Sequence, residues 1–170
     1  MDVSQRLAKR VGDALIPRGQ MLVIAESCTG GWVAKVVTSI PGSSQWFDRG
    51  YVVYSDASKQ DLLGVLDDTL AAHGSVSEAV VCEMAQGAME NSQAQVSIAI
   101  SGIAGPEGGA PDKPVGTVCL AWAVKGHAPV SRSTHFAGDR EMVRQQAVMA
   151  ALKGVLSTLD EVGQDAAQTG

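Results

Sequence analysis

The chain has 170 residues, 45% of them apolar and 18% charged, and a net charge of −5. That length and mixture suit one globular domain with a proper core. The acidic balance, with no long basic stripe, argues against a nucleic-acid groove. No apolar run approaches the ~20 residues a membrane span needs, and no N-terminal stretch has the order of a signal peptide. Cys28, Cys82 and Cys119 are far apart and odd in number, the pattern of reduced cytoplasmic thiols and not of a disulfide framework. His73, His127 and His135 are equally scattered, so spacing supports no metal site.

In chain order, Val3, Leu7, Val11 and Leu15 recur every four residues, which predicts a helix over 3–16 capped by Asp2 and ended at Pro17 and Gly19. Met21–Ala25 is a short apolar run, the mark of a buried strand. A polar, glycine-rich segment, 26–31, separates it from a helix predicted over Trp32–Ile40. Tyr51–Tyr54 reads as a second strand, and Ser55 or Asp56 can cap a helix running to Leu63. Ser77 can cap a helix over 78–91. Gln95–Ser101 reads as the third strand, followed by a Gly/Pro loop over 102–116, and Thr117–Val124 as the fourth. Val130–Phe136 alternates polar and apolar, as an edge strand does. Asp139 can cap a last helix over 140–159. Strands and helices largely alternate, so the expectation is α/β: a single three-layer α/β/α sandwich with a mixed, partly parallel sheet of about five strands. It occupies 1–160, and 161–170 is expected to be a frayed tail.

Open α/β sheets place ligands beyond the carboxyl ends of their strands. Three segments fall there: 26–31, 54–59 and 101–109. The first carries Ser27, Cys28 and Thr29 before Gly30 and Gly31, a strand-to-helix turn whose backbone amides can hold an anion or oxyanion. A plain capped turn has the same composition. It is neither a Walker motif nor a GxSxG elbow. The third is a long loop, of the kind that is usually functional or disordered; Lys113–Thr117 leads from it straight into a strand, which argues for order.

Those residues carry a resemblance. Ala25-Glu-Ser-Cys-Thr-Gly-Gly31, Pro41-Gly-Ser-Ser44, Tyr54-Ser55 with Lys59, Leu63-Gly-Val65, His73-Gly-Ser-Val-Ser77, Ser101-Gly-Ile-Ala-Gly-Pro106 and Lys113-Pro-Val-Gly-Thr117 resemble, in order and spacing, the motifs of the CinA C-terminal domain family. The likeness runs over about 5–158. It implies a three-layer sandwich, often a homodimer, that hydrolyses the carboxamide of nicotinamide mononucleotide in pyridine nucleotide salvage. The partner implied is a small-molecule nucleotide substrate, with no nucleic acid, membrane, metal or cofactor.

The resemblance also implies roles. Ser27 is the nucleophile and Lys59 its base; a serine needs a base to attack an amide, and a covalent acyl-enzyme divides the step in two. Lys59 must then be neutral, which burial can arrange. Tyr54 can hydrogen-bond within the dyad or relay a proton. The oxyanion hole falls to amides near Cys28–Gly31 or in Ser101–Gly105. Thr29, Gly30, Gly31, Ser43, Ser44, Ser101, Gly102 and Gly105 are candidate substrate contacts. Arg140 and Arg144, one turn apart, can grip a phosphate; Arg140 is the better candidate, and Gln145 a weaker one. Asp56 stands where the family most often has asparagine, and its charge is expected to raise the pKa of Lys59. Ser101 replaces a common threonine and keeps the hydroxyl. Two rivals are a Cys28 thiolate nucleophile and a non-catalytic nucleotide-binding module.

Overall fold

The structure is a computed structural model that describes residues 1–169. Its five strands are β1 (Leu22–Glu26), β2 (Phe47–Val52), β3 (Val96–Gly102), β4 (Thr117–Val124) and β5 (Val130–His135). They form one sheet in the order β2-β1-β3-β4-β5. β1 runs parallel to β2 and β3, while β4 and β5 are antiparallel additions. The sheet is therefore mixed, and β5 is an edge strand as its alternation predicts.

The helices are α1 (Val3–Leu15), α2 (Trp32–Thr38), α3 (Asp56–Leu63), α4 (Asp67–His73), α5 (Glu78–Glu90) and α6 (Arg140–Thr169). The strand sequences decide which helices pack where. Alternate residues of each strand point to opposite faces. One face carries large side chains, Leu22, Ile24, Ile98, Ile100, Leu120 and Trp122, and packs on α1, α2 and α6. The other carries small ones, Ala25, Ala99, Ala121 and Ala123, and receives Val80, Val81, Met84 and Ala85 of α5. Small residues let α5 approach closely enough for the Ser97 hydroxyl to donate to the Ala85 carbonyl at 2.9 Å. The result is three layers.

Several boundaries differ from expectation. β2 begins at Phe47 and ends before Tyr54; Asp48, Arg49 and Gly50 hide it, because an edge strand needs no apolar run and pairs here through a register shift opposite Leu22/Val23. α4 has no signal: Leu66 offers no side-chain cap and only Leu70 is buried. α6 continues to Thr169 and not to 159. Its last residues are rich in Ala, Gln, Asp and Glu, lack proline, and extend a helix already anchored by Leu152, Val155 and Leu159; packing elsewhere covers the cost of helix nucleation.

β1 is the switch point of the topology. The chain leaves it for β2 on one side and returns as β3 on the other, and all three strands end at the same edge of the sheet.

Candidate active site

The pairing of β1 continues one residue past its end. Ser27 N–H donates to Ile100 O at 3.0 Å, and Val53 N–H donates to Glu26 O at 2.8 Å. Ser27 therefore stands between the ends of β2 and β3, in the crevice such switch points create. The chain must then turn sharply into α2. Gly30 and Gly31 allow this with φ of 59° and 95°, a region open to glycine at no steric cost.

Glu26 organises that turn. Its carboxylate is buried and accepts three hydrogen bonds, from Thr29 Oγ1 at 2.6 Å, Val33 N at 2.9 Å and Ala34 N at 3.0 Å. A carboxylate here satisfies orphan amides at the start of α2 and complements the helix dipole. Sequence reasoning missed it, although an acidic residue ending an apolar run just before a helix is a readable signal.

Lys59 comes from α3, which Ser55 and Ser58 cap reciprocally. One turn into that helix, its side chain points back under the strand ends and is 1% exposed. Nζ lies 3.1 Å from Ser27 Oγ, 3.1 Å from Val53 O and 3.3 Å from Tyr54 O. Burial pushes its pKa below the ordinary value of 10.5. Asp56 and Cys28 push the other way and are outweighed. The expected upward influence of Asp56 is thus present, but desolvation wins. The three oxygens match the three donors of an ammonium; once the amine is neutral, the two carbonyls can take its two N–H groups and leave its lone pair for the Ser27 hydroxyl.

Cys28 is a different case. Burial pushes its thiol up to about 11, which outweighs the influence of Arg144 and Arg140. A thiol so protonated at neutral pH is a poor nucleophile.

A cavity of about 210 Å³ opens beside the dyad, walled among others by Ser27, Tyr54, Lys59, Ser101, Gly102 and Arg140. Ser75 and Val76 line it too; they lie in the His73-Gly-Ser-Val-Ser77 motif, but the sequence assigns them no site role, because they reach the cavity only through the packing of α4 and α5. The Ser101 hydroxyl donates to Ser75 O at 2.8 Å and ties that segment down. Gly105 lends its carbonyl to Arg140 Nη1 at 2.8 Å, and Arg140 Nη2 lies 3.3 Å from the Tyr54 hydroxyl. Tyr54 thus meets Lys59 through its backbone carbonyl, while the residue as a whole is 64% exposed at the mouth. The 103–116 loop is ordered and folds back: Ile103 N and Gly116 N donate to Thr117 O and Ile103 O.

Thr29, Gly30 and Gly31 line a neighbouring cleft of about 440 Å³ with Trp32, Lys35, Glu141 and Arg144. The Thr29 hydroxyl is committed to Glu26. Ser27, Gly30 and Trp32 amides also have protein acceptors, whereas the Cys28, Thr29 and Gly31 amides have none among the described backbone hydrogen bonds.

Three expected contacts lie elsewhere. Ser43 and Ser44 form a 3-10 turn that precedes β2, so they sit at the amino end of the strands, opposite Ser27. Their motif caps a turn whose Trp46 O accepts from Leu22 N at 2.7 Å. Gln145 is exposed and lines neither cavity, since its neighbours Arg144 and Val143 take the inward positions of that helical turn. Among the described residues, no group of three or more His, Cys, Asp or Glu side chains could hold a metal ion.

Comparison with known proteins places this geometry. A model of the CinA C-terminal domain matches residues 4–159. The chain is 53% identical over 148 residues to the nicotinamide-nucleotide amidohydrolase PncC of Escherichia coli strain K12, covering 87% of this chain and 90% of that one. It is 49% identical over 156 residues to the protein of the same name from Pseudomonas putida, with coverage of 92% and 97%. The competence/damage inducible protein CihA of Agrobacterium tumefaciens superposes with a TM-score of 0.90 at 38% identity, over 94% of this chain and 97% of that one. A CinA superfamily protein from Klebsiella pneumoniae gives 0.90 at 41% identity, with coverage of 94% and 99%. This chain belongs to the CinA C-terminal domain family.

Proposed function

We propose that the chain is an amidohydrolase that converts nicotinamide mononucleotide to nicotinate mononucleotide and ammonia, with Ser27 as nucleophile and Lys59 as its base. The observation that carries this reading is the buried Lys59 Nζ, 3.1 Å from Ser27 Oγ and without a carboxylate among its hydrogen-bond partners, in a chain 53% identical to a nicotinamide-nucleotide amidohydrolase.

Ser27 Oγ bonds to the carboxamide carbon as its proton passes to Lys59. The oxyanion receives the Cys28 and Thr29 amides. Collapse breaks the C–N bond, Lys59 returns the proton to the leaving nitrogen, and ammonia departs. Water then attacks the Ser27 ester, losing its proton to Lys59. The C–Oγ bond breaks, Oγ regains the proton, and nicotinate mononucleotide is freed for pyridine nucleotide salvage. The 210 Å³ cavity suits the ring and its amide, with Ser101 and Gly102 on the wall and the phosphate extending to Arg140 at the mouth. Tyr54 holds Arg140 there.

The same reading takes the enzyme as a cytoplasmic homodimer. Support comes from three free cysteines and from edge strand β2, beside which Val52 and Tyr54 expose apolar surface. Sedimentation velocity at micromolar concentration tests the dimer.

The decisive assay measures ammonia and nicotinate mononucleotide release from nicotinamide mononucleotide, without added metal, by the wild type and Ser27→Ala. Turnover lost only in the folded variant supports the reading. Turnover kept by Ser27→Ala removes Ser27 from it, and nucleotide binding with no release by either protein favours the non-catalytic module.

A further inference from the structure

Arg140 and Arg144 stand one turn apart on α6 and make different contacts. Arg140 reaches across the cavity mouth. Arg144 is half-buried and grips backbone: Nε donates to Cys28 O at 3.0 Å and Nη2 to Thr29 O at 3.3 Å. Its guanidinium lies over Trp32, 5.4 Å from the ring centroid.

Those two carbonyls belong to consecutive peptide units after Ser27. A peptide is planar and trans, so its C=O and N–H point in opposite directions. Holding Cys28 O therefore fixes the direction of the Thr29 N–H. Holding Thr29 O fixes that of the Gly30 N–H, which donates to Ser27 O at 3.1 Å. Thr29 is held from two sides, its carbonyl by Arg144 Nη2 together with the Trp32 N–H and its hydroxyl by Glu26, whereas the Cys28 carbonyl is held by Arg144. Without Arg144 the Cys28 carbonyl loses its hydrogen-bond donor, and a turn containing two positive-φ glycines is left with the Glu26 contacts and the backbone bonds of Ser27, Gly30 and Trp32. The cleft that Arg144 shares with Lys35 also contains Glu141, and the Nε and Nη2 donors that Arg144 gives to backbone carbonyls are already engaged there.

We propose that Arg144 is a positioning residue for the nucleophile: by clamping the Cys28 and Thr29 carbonyls it holds Ser27 and the amides of its turn in the geometry that acylation needs. The inference rests on Ser27 being the nucleophile, and its test does not depend on which amide is the substrate.

The test compares Arg144→Met and Arg144→Lys with the wild type in two assays, with thermal unfolding measured on each. One assay is turnover of nicotinamide mononucleotide. The other is labelling by an alkyl fluorophosphonate, in which the Ser27 Oγ–P bond forms, the P–F bond breaks, fluoride leaves and the hydroxyl proton passes to Lys59. Displacement of a reacting group by about 1 Å can cost about 100-fold. Arg144→Met is expected to lower kcat and the labelling rate by a similar factor of that order, with KM changed less than threefold. Lysine cannot reproduce a bidentate fork, so Arg144→Lys falls between the two. A raised KM with unchanged labelling overturns the proposal and makes Arg144 a substrate ligand. Losses that only follow the unfolded fraction overturn it too; if Arg144→Met does not fold, Arg144→Lys carries the same comparison. A wild type that labels in an Arg144-dependent way but releases no ammonia leaves the positioning role standing and sinks the substrate assignment.

Discussion

Lys59 sets the chemistry at the residue scale. Its pKa is depressed by burial, so turnover is expected to rise with pH as the amine loses its proton. Asp56→Asn removes an influence that raises the pKa, and the rising limb should move to lower pH; pH–rate profiles of the two proteins check this. Stability has the same sign. The folded pKa is lower than that of the unfolded chain, so between the two values the unfolded state binds more protons, and stability increases with pH across that interval. Lys59→Met should abolish turnover and flatten this part of the stability profile, read by thermal unfolding across pH. Cys28 offers the converse test. Its thiol is buried and pushed up to about 11, so Cys28→Ala should keep activity within a few fold and cost about 1 kcal/mol from the lost packing. A complete loss in a folded variant would restore the cysteine mechanism.

At the scale of elements, the dyad depends on how closely α3 packs on α5. A Cβ added at Gly87 would come within 1.8 Å of the Leu63 carbonyl oxygen. Backbone cannot yield as a side chain does, so α3 must move, and Lys59 moves with it. Gly87→Ala is expected to cost about 1–3 kcal/mol or more and to lower kcat; calorimetry with a parallel assay reads both. Glu26→Gln tests the α2 start. Whichever way the amide is placed, its NH₂ meets a donor, either Ala34 N or Val33 N with Thr29 Oγ1. A buried donor left without an acceptor costs about 1–3 kcal/mol, and equilibrium urea unfolding should report a loss of that size.

At the scale of the molecule, the two faces of the sheet bear different loads. Large side chains meet α1, α2 and α6, and small ones meet α5. The end of α6 joins neither: beyond Val162, which packs against the core, residues 163–169 are exposed. We take 1–160 as the folding unit, and truncation after Gly163 should leave the unfolding temperature almost unchanged, since almost no buried contact is removed. A large drop would show that this extension is covered by something outside the single chain.

Local pattern and chain order were enough for the layers and for most elements. Alternation marked β5, apolar runs marked β1, β3 and β4, and Asp2, Ser55 and Ser77 marked helix starts, because caps and periodicity act between residues close in sequence. The motifs also marked the three loops that meet around Ser27. Distance in the chain hid the rest. Edge strand β2 and the short α4 are stabilised by neighbours and not by their own periodicity. Ser43 and Ser44 share the composition of site residues but lie at the other end of the strands, a difference only the direction of β2 decides. That Lys59 is buried, that desolvation outweighs Asp56, and that Arg144 spends its fork on the carbonyls of Cys28 and Thr29 depend on groups many residues apart in sequence. The residues were legible in the chain, whereas their protonation and their partners were set by tertiary packing, which alone fixes what surrounds a charge.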